Sequence, residues 1–181
     1  MKVLKKVRYL IMVCILFAMV LPNASDAQTN STFHACLFPE SSFTIGVAGV
    51  YGFGFSGAGI NARAYYNLTE HFCFGPEISF LSVSDQSLTD INLVAHYIVD
   101  VKGIGIYPVG GVNYSIEKEN SKDHGLHTVR TSGLVTGVGL HRNFKRFTLF
   151  TEYSHHFSSI PDDLIALGAL ITFHPKQNHK Q

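Results

Sequence analysis

Polar and apolar residues alternate through most of the stretch 88–101, with Asp90, Asn92, His96 and Asp100 at even positions and Ile91, Leu93, Ala95, Tyr97, Val99 and Val101 at odd ones. Successive side chains of an extended strand point to opposite faces, so a period of two marks a strand whose two faces meet different surroundings. The parity recurs along the chain. Phe72, Phe74, Pro76, Ile78 and Phe80 oppose Cys73, Gly75, Glu77 and Ser79, and Ile104, Ile106, Pro108, Val112, Tyr114 and Ile116 oppose Gly105, Tyr107, Gly111, Asn113 and Ser115. Near the end, Ile165, Leu167, Ala169, Ile171 and Phe173 oppose Leu164, Ala166, Gly168 and Thr172. Turn residues at short intervals divide the pattern into predicted strands over 43–53, 55–66, 72–83, 88–101, 103–117, 128–141, 147–157 and 164–173.

One face is bulky and apolar, the other small or polar. A water-soluble sandwich or barrel needs its large apolar residues in the middle and a charged exterior. The bulky face here carries almost no charge, and the opposite face is rich in Gly, Ser, Thr and Asn. That distribution suits an all-β, eight-stranded antiparallel up-and-down transmembrane β-barrel, greasy outside and filled inside with small and polar side chains. Closure follows because an open sheet edge in hydrocarbon leaves backbone groups unpaired. Asp90, Asn92, His96 and Asp100 are then expected in the lumen. An eight-stranded interior is just wide enough for side chains, which disfavours an open pore.

The first residues define how the chain reaches such a solvent. Lys2, Lys5, Lys6 and Arg8 precede the apolar run 9–21, and Pro22 and small residues follow up to Ala27, the layout of a secretory signal peptide over 1–27. The run is shorter than the roughly 20 residues of a spanning helix. The expected organisation is a periplasmic N-terminal segment at 28–42, a barrel at 43–173 and a periplasmic tail at 174–181. Ten Lys/Arg and twelve Asp/Glu lie beyond residue 27, without a basic tract, which argues against a nucleic-acid partner. With the N-terminus in the periplasm, the turns around 67–71, 101–103 and 142–146 are short, and the polar connections at 82–87, 118–127 and 158–163 face outside.

The segment 60–80, "INARAYYNLTEHFCFGPEISF", with its Tyr65-Tyr66 strand end, Asn-Leu-Thr-Glu-His turn and Gly-Pro-Glu up-strand, resembles the small outer-membrane β-barrel proteins common in Bacteroidetes. "DINLVAHYIV", "IYPVGGVNY" and "ALGALITF" resemble the same family, which is of the outer-membrane protein A/X-like type. The resemblance covers most of 43–173 and implies architecture rather than chemistry. It implies bacterial outer-membrane localisation, outer-membrane lipid and lipopolysaccharide as surroundings, and no cofactor.

Counting residues from the periplasmic turns puts Arg63, Glu77 and Glu152 at similar heights with lumen parity. A lone charge in a packed lumen is heavily penalised, so the three are expected to form an ionic cluster. Its readings are lumen packing or, alternatively, a gate. Ionic plugs of this kind occur in the outer-membrane protein A-type barrels that the chain resembles. Cys36 and Cys73 both fall near the periplasmic rim, where either a disulfide or two free thiols is possible.

One pattern carries potential chemistry. His156-Phe157-Ser158 matches the His-x-Ser spacing of lipid A deacylase barrels, in which a histidine activates a serine. Ser159 stands where that family has Asn, the acidic partner on the last strand is missing, with only Asp162 and Asp163 in the neighbouring loop, and the pair has inward parity. His124 with His127, or His155 with His156, lacks a third metal ligand. The sequence therefore reads as a monomeric, non-enzymatic barrel with a structural or surface-interaction role, reaching an extracellular ligand or host surface through 82–87 and 118–127. A deacylase-like hydrolase using His156 and Ser158, or a narrow porin, is the alternative.

Overall fold

The computed structural model describes residues 36–121, 125–144, 146–160 and 162–173. The expected signal peptide, most of the 28–42 segment, His124 and the 174–181 tail lie outside the described residues. The strands are β1 (Ser42–Gly52), β2 (Gly57–Asn67), β3 (Phe72–Val83), β4 (Gln86–Tyr97), β5 (Val99–Val101), β6 (Ile104–Ser121), β7 (Gly125–Asn143), β8 (Thr148–Phe157) and β9 (Asp162–Phe173). Each pairs antiparallel with its neighbour in sequence, apart from β4 and β5, which both pair with β6, and β1 with β9 completes the circle. β5 prolongs β4 past a break at Ile98, whose N–H instead bonds the carbonyl of His71. The result is a closed eight-stranded antiparallel barrel.

Alternation decides which side faces out. Val47, Ile60, Ile78, Leu93, Val112, Val138 and Leu167 are exposed, whereas Asn61, Ser79, Asp90, Asn92, Asn113 and Ser115 are buried. In water this arrangement is inverted, and in lipid it is the favoured one. Aromatic rings collect on the outside at the end where β1 begins and β9 stops. Phe43 pairs with Phe173 on one side and meets the Tyr66 ring at 5.1 Å on the other, and Tyr66 meets Phe74 at 6.1 Å. Such belts sit where hydrocarbon gives way to headgroups.

The turns explain the differences from the sequence-based boundaries. Lys102 and Gly103 both have positive φ, as a two-residue type I′ hairpin requires, between the paired Val101 and Ile104. The connection expected at 82–87 is mostly strand: Val83 pairs with Gln86, and Ser84, at φ 47°, supplies half of a two-residue turn. The 118–127 connection is strand too. Pairing of β6 with β7 runs to Ser121 and Gly125 and β4 flanks β6 as far as Glu119, while β8 joins β7 only from Leu134 onward, so among the described residues the upper half of β7 is an unpaired edge of the β6–β7 ribbon. Polar composition suggested a loop there, but a hairpin exposed on both faces is polar on both faces. Asp162 and Asp163, expected in a loop, are the first residues of β9.

Candidate functional site

The lumen is filled in layers. At the terminal end, Cys36, Leu37 and Phe38 fold back into the barrel mouth and are buried. The His141 imidazole Nε2 lies 2.7 Å from the Cys36 carbonyl, the Asn143 amide donates to the Leu37 carbonyl at 3.4 Å, and Phe38 packs on the His141 ring at 5.1 Å. Cys36 and Cys73 are free thiols, and the possible bridge between them is not made. The Cys36 sulfur lies against the backbone of Gly105 and Asn143, and burial pushes its thiol pKa up. Cys73, on β3, has its Sγ 3.7 Å from His96 Nδ1. Each sulfur therefore has its own neighbours.

Above this mouth stands the ionic layer. Arg63 Nη1 is 3.2 Å from Glu152 Oε2, and its Nη2 is 3.6 Å from Glu77 Oε2. The guanidinium also donates through Nε to Asn61 Oδ1 at 2.7 Å and lies 4.2 Å from the centre of the Phe150 ring. Strand register explains part of this meeting, because Arg63 and Glu77 are cross-strand partners. Tyr65 donates its hydroxyl to Glu77 Oε1. The Arg63, Glu77 and Glu152 side chains are at most 5% accessible, so their charges are compensated by one another rather than by water.

His96 belongs to the same layer, which its position in the sequence did not reveal. It pairs with Cys73 in the ladder, four residues along β3 from Glu77, yet its Nε2 reaches to 3.9 Å from both Glu77 Oε1 and Glu152 Oε2. The Tyr65 and Tyr107 rings hold it between them, with centroids at 4.8 and 4.9 Å. Tyr107 has room because Gly139 is opposite: a Cβ there would collide with the Tyr107 ring. The two tyrosines share lumen parity with the charged residues, and that parity was the available signal for finding them.

The next layer is joined by side-chain hydrogen bonds. Asn61 donates to Ser79 at 2.9 Å, Asn113 to Asn92 at 2.7 Å and Ser115 to Asp90 at 2.5 Å. His156 is buried beside them, its Nδ1 3.9 Å from Asp90 Oδ1. Asp100 lies apart at the terminal rim, half-buried, and accepts the Gly103 N–H at 3.0 Å. At the hairpin end, Val50, Leu81, Leu88 and Leu164 close the lumen with Phe55 packed against them. Asp162 holds the neighbouring turn by accepting from the N–H groups of Gly54 and Phe55 at 2.6 and 3.4 Å.

The two residues of the His-x-Ser pattern have different surroundings. His156 is sealed inside at 1% exposure, and Ser158 donates its hydroxyl to the Ile160 carbonyl at 2.8 Å. His155 points the other way, toward the outside, with Nδ1 2.8 Å from Asp163 Oδ1, so the two histidines cannot share a metal. His127 is exposed on the ribbon.

With a lipid-type exterior and a solid polar interior established, comparison with solved structures decides the fold. The N-terminal β-barrel domain of Pseudomonas aeruginosa OprF superimposes with a TM-score of 0.63 at 16% identity, covering 75% of this chain and all of that one. The fold is that of the small outer-membrane β-barrels. Ail, the attachment invasion locus protein of Yersinia pestis, is similar at a TM-score of 0.53 and 18% identity over 73% of this chain and 97% of Ail. Pseudomonas aeruginosa OprG gives 0.54 at 10% identity over 76% and 98%. No family model and no curated relative matches the sequence.

Proposed function

We propose that this chain is a monomeric outer-membrane barrel of Bacteroidetes type, exported by its signal peptide and inserted with both termini in the periplasm. Its role is structural and surface-interacting, without enzymatic activity. The observation that carries this reading is the contrast between the two parts of the molecule. Among the described residues, side chains pack the lumen from Leu37 and Phe38 through the Arg63 layer to Leu81 and Leu88, which supports a closed barrel over a porin or an internal catalytic site. The β6–β7 ribbon, by contrast, stands clear of β8 and exposes Lys118, Glu119, His127, Thr128 and Arg130.

A projecting hairpin with an unpaired β7 edge offers both backbone hydrogen bonds and side chains to an extracellular ligand or host surface. Below it, the apolar exterior is suited to acyl chains, with lipopolysaccharide filling the outer leaflet. Ail, whose solved structures include a complex with the heparin analogue sucrose octasulfate, provides a precedent for ligand binding on this fold.

Protease treatment of intact cells tests insertion and orientation together. Cleavage within 118–122 in whole cells, with the rest of the chain protected until the membrane is dissolved, is the expected result. Protection of the ribbon in whole cells and cleavage only after the outer membrane is opened would reverse the orientation. Lipid A from cells with and without the protein is expected to have the same mass, and loss of an acyl chain that depended on Ser158 would favour the hydrolase.

A further inference from the structure

The ionic layer contains a donor set that its own salt bridges do not complete. His96 Nε2 is buried and has no hydrogen-bond partner among the described residues, although His96 is only 4% exposed. It lies 3.9 Å from Glu77 Oε1 and 3.9 Å from Glu152 Oε2, and the three donor atoms all fall within 4.8 Å of one another. An N–H at that distance makes no hydrogen bond to either oxygen. An unmade hydrogen bond at a buried polar nitrogen is costly, and an atom placed between the three donors would remove that cost.

We propose that Glu77, His96 and Glu152 bind a divalent first-row transition-metal ion, such as zinc, as a structural centre of the lumen. The chemistry fits. One imidazole nitrogen and two carboxylate oxygens form a mixed N/O set of the kind such ions accept. Metal–donor bonds of about 2.0–2.2 Å bring donor pairs to roughly 3.4 Å at tetrahedral angles, so closing the two His96–carboxylate pairs by about half an ångström, and the carboxylate oxygens on each other by about 1.4 Å at most, fills three of the four tetrahedral positions.

The surroundings orient the donors. With the Nδ1 proton directed at the Cys73 sulfur, 3.7 Å away, the Nε2 lone pair faces the two carboxylates. Tyr65 and Tyr107 prevent the ring from turning. The carboxylate oxygens are shared with protein donors: Arg63 holds Oε2 of each glutamate and the Tyr65 hydroxyl donates to Glu77 Oε1, so the ion takes the second lone pairs of Glu77 Oε1 and Glu152 Oε2. Because both ends of the lumen are sealed, the ion enters as the barrel folds and is retained afterwards. This site is independent of any role of the ribbon.

The test uses untagged protein purified from expressing cells, unfolded in urea and refolded into detergent with stoichiometric Zn²⁺ or with EDTA. Bound metal is measured after prolonged dialysis against chelator. One zinc per folded barrel is expected in the wild type, at least tenfold less in His96→Gln and Glu152→Gln, and no change in His127→Ala or His155→Ala. Folding of each variant is read from the heat-dependent gel shift of the barrel. Should the lumen variants fail to fold, wild type refolded with Co²⁺ keeps the proposal open to refutation: visible d–d bands without a sulfur-to-cobalt charge-transfer band are expected. Wild type that retains no metal, retention unaffected by His96→Gln in folded protein, or a sulfur band marking Cys73 as a ligand would each overturn the assignment.

Discussion

Arg63 is the residue on which the lumen most depends. Its guanidinium neutralises parts of two carboxylates, and no other Lys or Arg side chain reaches the same layer among the described residues. In metal-free protein, removing it leaves Glu77 and Glu152 buried as like charges. Breaking a buried ion pair from one side costs about 3–5 kcal/mol, far more than an exposed pair is worth. Arg63→Met is expected to lower barrel stability by about that amount, seen as a lower urea midpoint for unfolding from lipid vesicles. Adding Glu77→Gln and Glu152→Gln to Arg63→Met is expected to recover most of the loss, since the uncompensated charge is then gone. If the triple variant were as unstable as the single one, shape rather than charge would hold the layer. The cysteines make a second residue-level case. Cys36 and Cys73 are buried free thiols, and burial raises the Cys36 thiol above its ordinary pKa and so reduces its thiolate. Neither is expected to react with maleimide in the folded barrel at neutral pH, and both are expected to react at once in urea without a reductant.

The elements were largely legible from parity, because a strand between lipid and a packed lumen repeats one rule at every second residue. What stayed hidden were features that depend on register between strands. His96 is one: alternation puts it in the lumen, but only strand tilt and side-chain lean carry its ring across to Glu77 and Glu152. The ribbon is another, since polar composition cannot separate a loop from a hairpin that is solvated on both sides. A third is the mouth, where Cys36, Leu37 and Phe38 fall outside any periodic stretch and are placed by bonds to His141 and Asn143. The outward rule itself is testable on β1. Val47, 67% exposed near the middle of the strand, should face the hydrocarbon centre, whereas Tyr51 lies toward the hairpin end. Val47→Arg is expected to destabilise the barrel by about 2–4 kcal/mol and Tyr51→Arg by about 0–1 kcal/mol, measured by unfolding from vesicles. Equal costs at the two positions would mean that β1 does not cross a lipid layer. On the inner face, Gly139→Ala forces a Cβ into the Tyr107 ring, and overpacking of this kind costs about 1–3 kcal/mol.

For the molecule as a whole, the question is whether a closed ring of strands amounts to a channel. Eight strands enclose a space that side chains fill, and here they fill it with three different kinds of contact. The mouth is closed by an apolar segment, the middle by a hydrogen-bonded ionic layer, and the hairpin end by Leu81 and Leu88, each no more than 1% exposed. These seals act in series, so opening one leaves the others in the path. Wild-type protein in planar bilayers is therefore expected to show no stepwise single-channel conductance. Leu37→Ala with Phe38→Ala is expected to remain silent, and so is Leu88→Ala. Were removal of the mouth segment alone enough to give steady ion current, the ionic layer would have to pass hydrated ions. An Arg63 side chain bonded to Asn61, Glu77 and Glu152 and stacked on Phe150 could not then be the fixed structure described here.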